Sequence, residues 1–550
     1  MNRRIVLIGA TGTFGSRLAA LLSAWPGIEL VLAARRPEPL EMLRESLVGQ
    51  GAPAAVGVAR FDRSQPETLA GLSPWLVVDA AGPFQDSDYG LALAAVGCGA
   101  HYVDLADGRA FVAGFAAAVG PPAAKRGVLA VTGASSTPAL SHAALAPMVD
   151  GWTRLDEIMV AISPGARAPR GLSVVEAILS YVGRPVRVFR DGDWGLAPGW
   201  SGLRRVRMPG LGRRLVSLCE TPDLDLLPAR FPVRDSALFM AGLELPVMHL
   251  GLTLLSLPVR WGWAASLRPL ARPLRALADL LSVFGSDRGG MVVQATGRDA
   301  SGRRVRARWA LWAERNAGPS TPVAAAAAMI RALLDGREIT SGAGPCVGLL
   351  TRDDILRELK HLPIRTRSDE TAPDDPVMFR RLLGRRFDLL PPAVREVHSV
   401  RESTAFAGAA VARSGRSLPA LAARLIMGTP GTGRHPVQVK IRPGKRGETW
   451  SRRFGASGFK SRLSDAARMG VFEERFGPLR FAFDIHPTQR GFAWRLIGWS
   501  FMGLSLPIVL APGIRAAAEE ADGRYRFRVV VAHRWIGLMF AYRGWLVAAR

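Results

Sequence analysis

Three glycines spaced three apart, Gly9, Gly12 and Gly15, mark where this chain is equipped to hold an anion. They lie in Gly9-Ala10-Thr11-Gly12-Thr13-Phe14-Gly15, directly after the apolar run Ile5-Val6-Leu7-Ile8 and directly before Ser16-Arg17-Leu18-Ala19-Ala20-Leu21-Leu22. In a strand-turn-helix nucleotide site the first glycine allows the tight turn and the second lets a pyrophosphate approach the backbone. The third lets the helix pack on the strand. An anion there meets unpaired N–H groups and the positive end of the helix dipole. The first half of the motif is one residue longer than the common dinucleotide fingerprint. Its context supplies the rest: a second apolar strand, 29–34, follows Trp25-Pro26-Gly27 and completes a βαβ unit.

The end of that second strand is where such folds choose a cofactor, an acid for the ribose of NAD or an arginine for the 2′-phosphate of NADP. The chain offers Arg35-Arg36, and Glu29 lies at the wrong end of the strand. Planar guanidinium groups suit bidentate phosphate recognition, so the expected cofactor is NADP(H). Asp62, closing a third strand, is placed to meet the adenine end or to cap the next helix. The run 75–79 reads as a buried parallel strand, and Ala80, Ala81, Gly82, Pro83 and Phe84, just beyond its carboxyl end, should border the cofactor.

Candidates to contact a substrate near the nicotinamide are His101, Tyr102 and Asp104 at one strand end and Ser135 and Ser136 at another, with His142 close by. Each has the chemistry to bind a carbonyl or imine or to relay a proton, and each would equally serve as a structural hydrogen bond. No catalytic acid or base is assigned. None of the five tyrosines is followed at four residues by a lysine, so a phenol activated by a neighbouring ammonium is disfavoured. The eight histidines are dispersed and the three cysteines far apart, so no metal site is expected.

Stepping outward, strand and helix alternate through the first 145 residues, as in a doubly wound sheet. The ordered motifs Gly9-x-x-Gly12-x-x-Gly15, Val78-Asp79-Ala80-Ala81-Gly82-Pro83-Phe84, His101-Tyr102-Val103-Asp104 and Gly133-Ala134-Ser135-Ser136-Thr137-Pro138 resemble those of saccharopine dehydrogenase-like NADP-binding domains. That resemblance implies a Rossmann domain binding NADP(H), with a second domain inserted before the sheet is completed. It does not imply saccharopine as substrate.

An α/β chain of three parts is expected: a Rossmann domain at 1–145, an α+β substrate domain at 146–360, and a β-rich domain at 379–550, with a polar linker at 361–378. The last region resembles a domain of unknown function found behind saccharopine dehydrogenase-like modules. A packed core accounts for its aromatic residues; a curved sheet around an apolar ligand would use the same ones. Within the middle region the apolar stretch 237–259 has the length of a membrane span, but Glu244, Pro246 and His249 interrupt it. It is expected to be a buried helix pair, or else an apolar flap beside Arg260, Arg268, Arg272 and Arg275.

The chain of 550 residues carries a net charge of +26, and only five of its 72 basic residues are lysine. The excess of bases allows peripheral contact with an anionic membrane. The arginines are scattered through apolar segments without a nucleic-acid-binding signature, so no nucleic-acid partner is expected. The apolar run after Met1-Asn2-Arg3-Arg4 is too short for an export signal, and a cytoplasmic protein is expected. The function these readings support is hydride transfer between NADP(H) and a small, hydrophobic or lipid-like substrate. The alternative is a non-catalytic NADP(H)-sensing or lipid-binding protein at a membrane surface. Oligomeric state is left open.

Overall fold

Four apolar residues in a row, Ile5 to Ile8, are buried on both faces of a sheet, and this sets the character of the N-terminal half. The computed structural model describes residues 3–169, 171–371, 377–444, 447–466, 470–501 and 504–549, without the side chains of 422, 423, 425 and 426. The chain divides into two compact units, Met1–Ala372 and Pro373–Arg550.

In the first unit, strands β1 (Arg3–Ile8), β2 (Ile28–Ala34), β3 (Ala55–Arg60), β4 (Leu76–Asp79), β5 (His101–Asp104) and β6 (Leu129–Thr132) pair in parallel in the order β6-β5-β4-β1-β2-β3. A seventh strand, Gly342–Pro345, joins β6 in parallel, pairing Gly342 with Leu129. The order reverses between β1 and β4, so a crevice opens there beyond the carboxyl ends of the strands. Helix α1 (Gly15–Ser23) begins directly above it.

The chain between β6 and the seventh strand builds all but one strand of a mixed sheet; the edge strand Ile364–Thr371 comes from beyond the seventh strand. The order of this sheet is Arg204–Met208, Gly212–Leu218, Val233–Ala241, Arg154–Ser163, Gly289–Arg298, Arg304–Ala313 and Ile364–Thr371, with the hairpin Pro185–Arg190 and Asp193–Pro198 attached beside Val233–Ala241. Two expectations are corrected here. The stretch 237–259 is not a helix pair: its first residues finish the buried strand Val233–Ala241, and a helix, Pro246–Arg260, starts after Gly242. A short apolar run buried on both faces has no periodicity to separate strand from helix. The expected linker is in part an edge strand: Ile364–Thr371 pairs with Arg304–Ala313, and Arg308 forms an ion pair with Asp369 across the two. The boundary between the units falls just after it, inside 361–378.

In the second unit ten antiparallel strands close into a barrel, running from Leu479–Thr488 around to Gly491–Phe501, which pairs back with the first; Leu504–Leu506 forms a short hairpin arm. Alternation places Val437, Val439 and Ile441 inside and Gln438 outside. Closure leaves the barrel strands without a free edge.

Candidate nucleotide site and adjoining cavity

The glycine corner is built so closely that side chains are excluded from two of its three positions. Gly9 has φ +77°, and a Cβ there would lie 2.9 Å from the Ala81 nitrogen. At Gly15 a Cβ would lie 2.1 Å from the Gly9 carbonyl oxygen. Gly12 is exposed at the tip and would meet only that oxygen, at 3.2 Å. The turn is locked by hydrogen bonds from the Gly9 N–H to Ala33 and from the Gly12 N–H to Gly9, each 2.9 Å. No side chain caps the start of α1 at Phe14. The result is a backbone cradle at a helix N-terminus, with room for a phosphate at Gly12. Gly9, Ala10, Thr11, Gly12, Thr13, Phe14 and Gly15 form one side of the crevice, and Ala80 to Phe84 form the other.

That second wall is held by an ion pair absent from the sequence reading. Asp79, fully buried at the end of β4, meets Arg63 at 2.9 Å and accepts a hydrogen bond from the Ala81 N–H at 2.9 Å. Arg63 also donates to the Ala81 carbonyl and the Ser87 hydroxyl, at 3.2 and 2.8 Å, and lies over the Phe84 ring. Burial pushes the Asp79 carboxyl above its ordinary range, and the charge of Arg63 pulls it back. Nothing in the run Phe61-Asp62-Arg63 distinguishes Arg63 from the other arginines, so only the fold identifies it.

Arg35 and Arg36 follow β2 and are exposed. Asp62 is exposed and accepts both the N–H and the hydroxyl of Ser64. Those bonds, then the charges of Arg35 and Arg60, hold its carboxyl below the usual range.

Of the substrate-contact candidates, the structure brings only Ser135 and Ser136 to a cavity. His101 opens β5, at the amino end of the sheet, where its Nδ1 accepts the Leu129 N–H at 3.0 Å beside Trp75. Tyr102 is buried in the core against Phe115. Asp104 is a buried brace: its Oδ1 accepts from the Ala106 N–H, the Thr132 hydroxyl and the Gly133 N–H at 2.7–2.9 Å, and burial lifts its carboxyl to about 7. Through that oxygen it ties the ends of β5 and β6 together, and it does not line the cavity. His142 is likewise buried, held by the Pro138 carbonyl at 2.8 Å and near Asp223 at 3.2 Å.

The cavity measures about 590 Å³, within the usual range for small-molecule sites. Phe14 of the glycine corner and residues 135–137 line one end. Apolar side chains of the helices Leu172–Tyr181, Pro246–Arg260 and Ala271–Leu281 line much of the rest, with strand residues such as Ile162, Met291 and Leu311 and the acidic Asp287. The hydroxyls of Ser135 and Ser136 are engaged by no other described residue, whereas Thr137 donates to Asp223. Asp107, whose carboxylate accepts from Gln85 at 3.1 Å, also lines this end. It stands three residues past Asp104, outside the strand that drew the sequence reading. Among the described residues no group of three or more His, Cys, Asp or Glu is arranged to hold a metal ion.

No curated protein sequence matches the chain. Similar solved structures include L-glutamate-forming saccharopine dehydrogenase from Saccharomyces cerevisiae, at 12% identity and TM-score 0.48, covering 67% of this chain and 100% of that one. DAP dehydrogenase of C. glutamicum, solved with DAP, is similar at 13% identity and TM-score 0.35, covering 65% and 98%. Residues 390–546 match the family model described as a domain of unknown function, DUF4166. The chain thus joins a unit with a Rossmann sheet to a DUF4166 domain.

Proposed function

We propose that this protein is an NADP(H)-dependent oxidoreductase that moves a hydride between the nicotinamide and an apolar substrate. One observation carries the reading: the apolar cavity begins at Phe14 and Ser135, at the carboxyl ends of the strands where the nicotinamide of a bound dinucleotide would lie. The residues fit that cofactor, since the close packing at Gly9 and Gly15 holds the corner in shape and the exposed Gly12 carries no side chain over it. Gly9 to Gly15 and Ala80 to Phe84 hold its pyrophosphate end, and Arg35 and Arg36 its 2′-phosphate. The cofactor supplies the hydride. Ser135 and Ser136 orient the polar end of the acceptor, an imine, carbonyl or activated double bond, and Asp107 is the carboxyl group placed to exchange a proton with it. The apolar walls exclude water from the transfer.

The test is thermal unfolding of the purified chain with NADPH, with NADH and without nucleotide. A ligand at 100 times its dissociation constant adds about 2.7 kcal/mol to native stability. NADPH should raise the melting temperature more than NADH, and Arg35→Ala should erase the difference. Equal shifts with both nucleotides in the unaltered chain would remove the NADP assignment. Binding without oxidation of NADPH across a broad panel of acceptors would remove the enzyme.

We further propose that the substrate is drawn from an anionic membrane surface. Val247, Leu255 and Leu277 line the cavity and are also exposed, and Trp263 and Phe284, each 77% exposed, extend the apolar surface around it. Arg260, ending the helix Pro246–Arg260, and Arg272, opening the helix Ala271–Leu281, are exposed. No helix among the described residues is long and apolar enough to cross a membrane, so contact through these helices would be at the surface. Sedimentation with vesicles containing anionic lipid should pull the protein down, and Trp263→Ser with Phe284→Ser should weaken binding by about tenfold or more, given the apolar area lost. Unchanged sedimentation of that variant would place the contact elsewhere.

A further inference from the structure

We infer that the barrel of the DUF4166 domain is a binding site for an uncharged hydrocarbon chain, separate from the cavity of the first unit. The barrel is filled at one end only. Phe379 and His398, from two short helices, stack among Phe492, Trp450 and Tyr525 and plug that end. Burial drives the His398 imidazole down to about 3, so the plug is uncharged.

Further along the same strands the plug stops. From Tyr525 the strand runs on to Val529, Val531 and His533, and from Phe492 to Trp494 and Trp499; these residues line a cavity of about 320 Å³. The walls are almost wholly aromatic and aliphatic.

The charged groups in that lining are already satisfied by each other. Arg452 meets Glu474 at 3.2 Å and the Ser461 hydroxyl at 2.6 Å, Ser461 donates to Glu474 at 2.6 Å, and the guanidinium lies over Trp450 and Phe459. A paired arginine offers no countercharge to a buried carboxylate or phosphate, so the cavity selects a neutral chain over an ionised one. At the other end of the cavity Leu510 and Ile536 reach its lining from segments that expose Ile508, Val509 and Trp535 to solvent, an apolar rim through which such a chain enters.

The experiment uses the full chain and a bromine-terminated undecanol, whose bromine quenches tryptophan on contact. Trp494 and Trp499 line the barrel cavity, and no tryptophan lines the cavity of the first unit, so quenching reports on the barrel. Saturable quenching is expected, with most of it lost in Trp494→Phe/Trp499→Phe. Ala516→Phe, which fills the cavity, should weaken binding by about tenfold or more. If Ala516→Phe does not fold, the tryptophan pair decides alone. Absence of saturable quenching, or quenching undiminished in the paired variant, overturns the inference.

Discussion

Gly15→Val should abolish nucleotide binding by this protein, and Gly12→Val should do so without disturbing the rest of the fold. The two substitutions act differently. A Cβ at Gly15 falls 2.1 Å from the Gly9 oxygen and 2.9 Å from the Ala10 Cα, both backbone atoms, so α1 must move away from the corner to make room. With it go the N–H groups that face the phosphate. At Gly12 the Cβ meets the Gly9 oxygen at only 3.2 Å and the position is exposed, so the apo chain tolerates it. The side chain then stands where the pyrophosphate would lie. In melting experiments the roughly 2.7 kcal/mol expected from saturating nucleotide should vanish in both variants. Only Gly15→Val should also lower the melting temperature of the apo chain. A nucleotide shift surviving in Gly12→Val would mean that the corner does not hold the phosphate.

Arg63→Met should destabilise the first unit by about 3 kcal/mol at neutral pH, because it strands the fully buried Asp79 without its cation. The Ala81 N–H and the Tyr102 hydroxyl, the latter at 3.4 Å, remain to the carboxylate but carry no full charge. In the variant, burial is opposed by those two hydrogen bonds alone and raises the folded-state pKa of Asp79 further above that of the unfolded chain. The folded state then binds the extra proton, so stability is retained at acid pH and lost as pH rises through the raised value. The deficit should therefore be larger at pH 8 than at pH 5, as read by urea unfolding. Adding Asp79→Asn should recover much of the loss at pH 8 and remove the pH dependence. A single variant as stable as the parent at pH 8 would show that the pair does not hold the wall opposite Gly9.

The parts of this site that were legible in the sequence are those set by local backbone chemistry. Gly9, Gly12 and Gly15 announce a corner because their spacing matches a strand-turn-helix geometry, and the corner has the close contacts that geometry requires. Apolar and polar residues alternate in Leu479–Ile485 and Tyr525–Val529, which marks them as half-buried strands of the β-rich domain. Roles that depend on which end of a strand a residue occupies were harder to read. His101 and Asp104 are three residues apart, yet they lie at opposite ends of β5, and neither reaches the cavity. A polar residue in an apolar run has the same sequence signature whether it serves a ligand or braces two strands. Arg63 could not be singled out among so many arginines, because its importance comes from Asp79, which lies on another strand.

The seventh strand of the parallel sheet has a consequence for biosynthesis. Because Gly342 pairs with Leu129, the nascent chain carries β6 as an open edge while all but the last strand of the mixed sheet is being synthesised. Domains emerging from the ribosome tend to fold in order, and an unpaired edge is a template for association with neighbouring chains. Here the nucleotide-binding sheet is finished only after the insertion has folded back to deliver its last strand. Maturation of the cofactor site is thereby coupled to maturation of the substrate cavity, and a polypeptide released early holds neither in finished form.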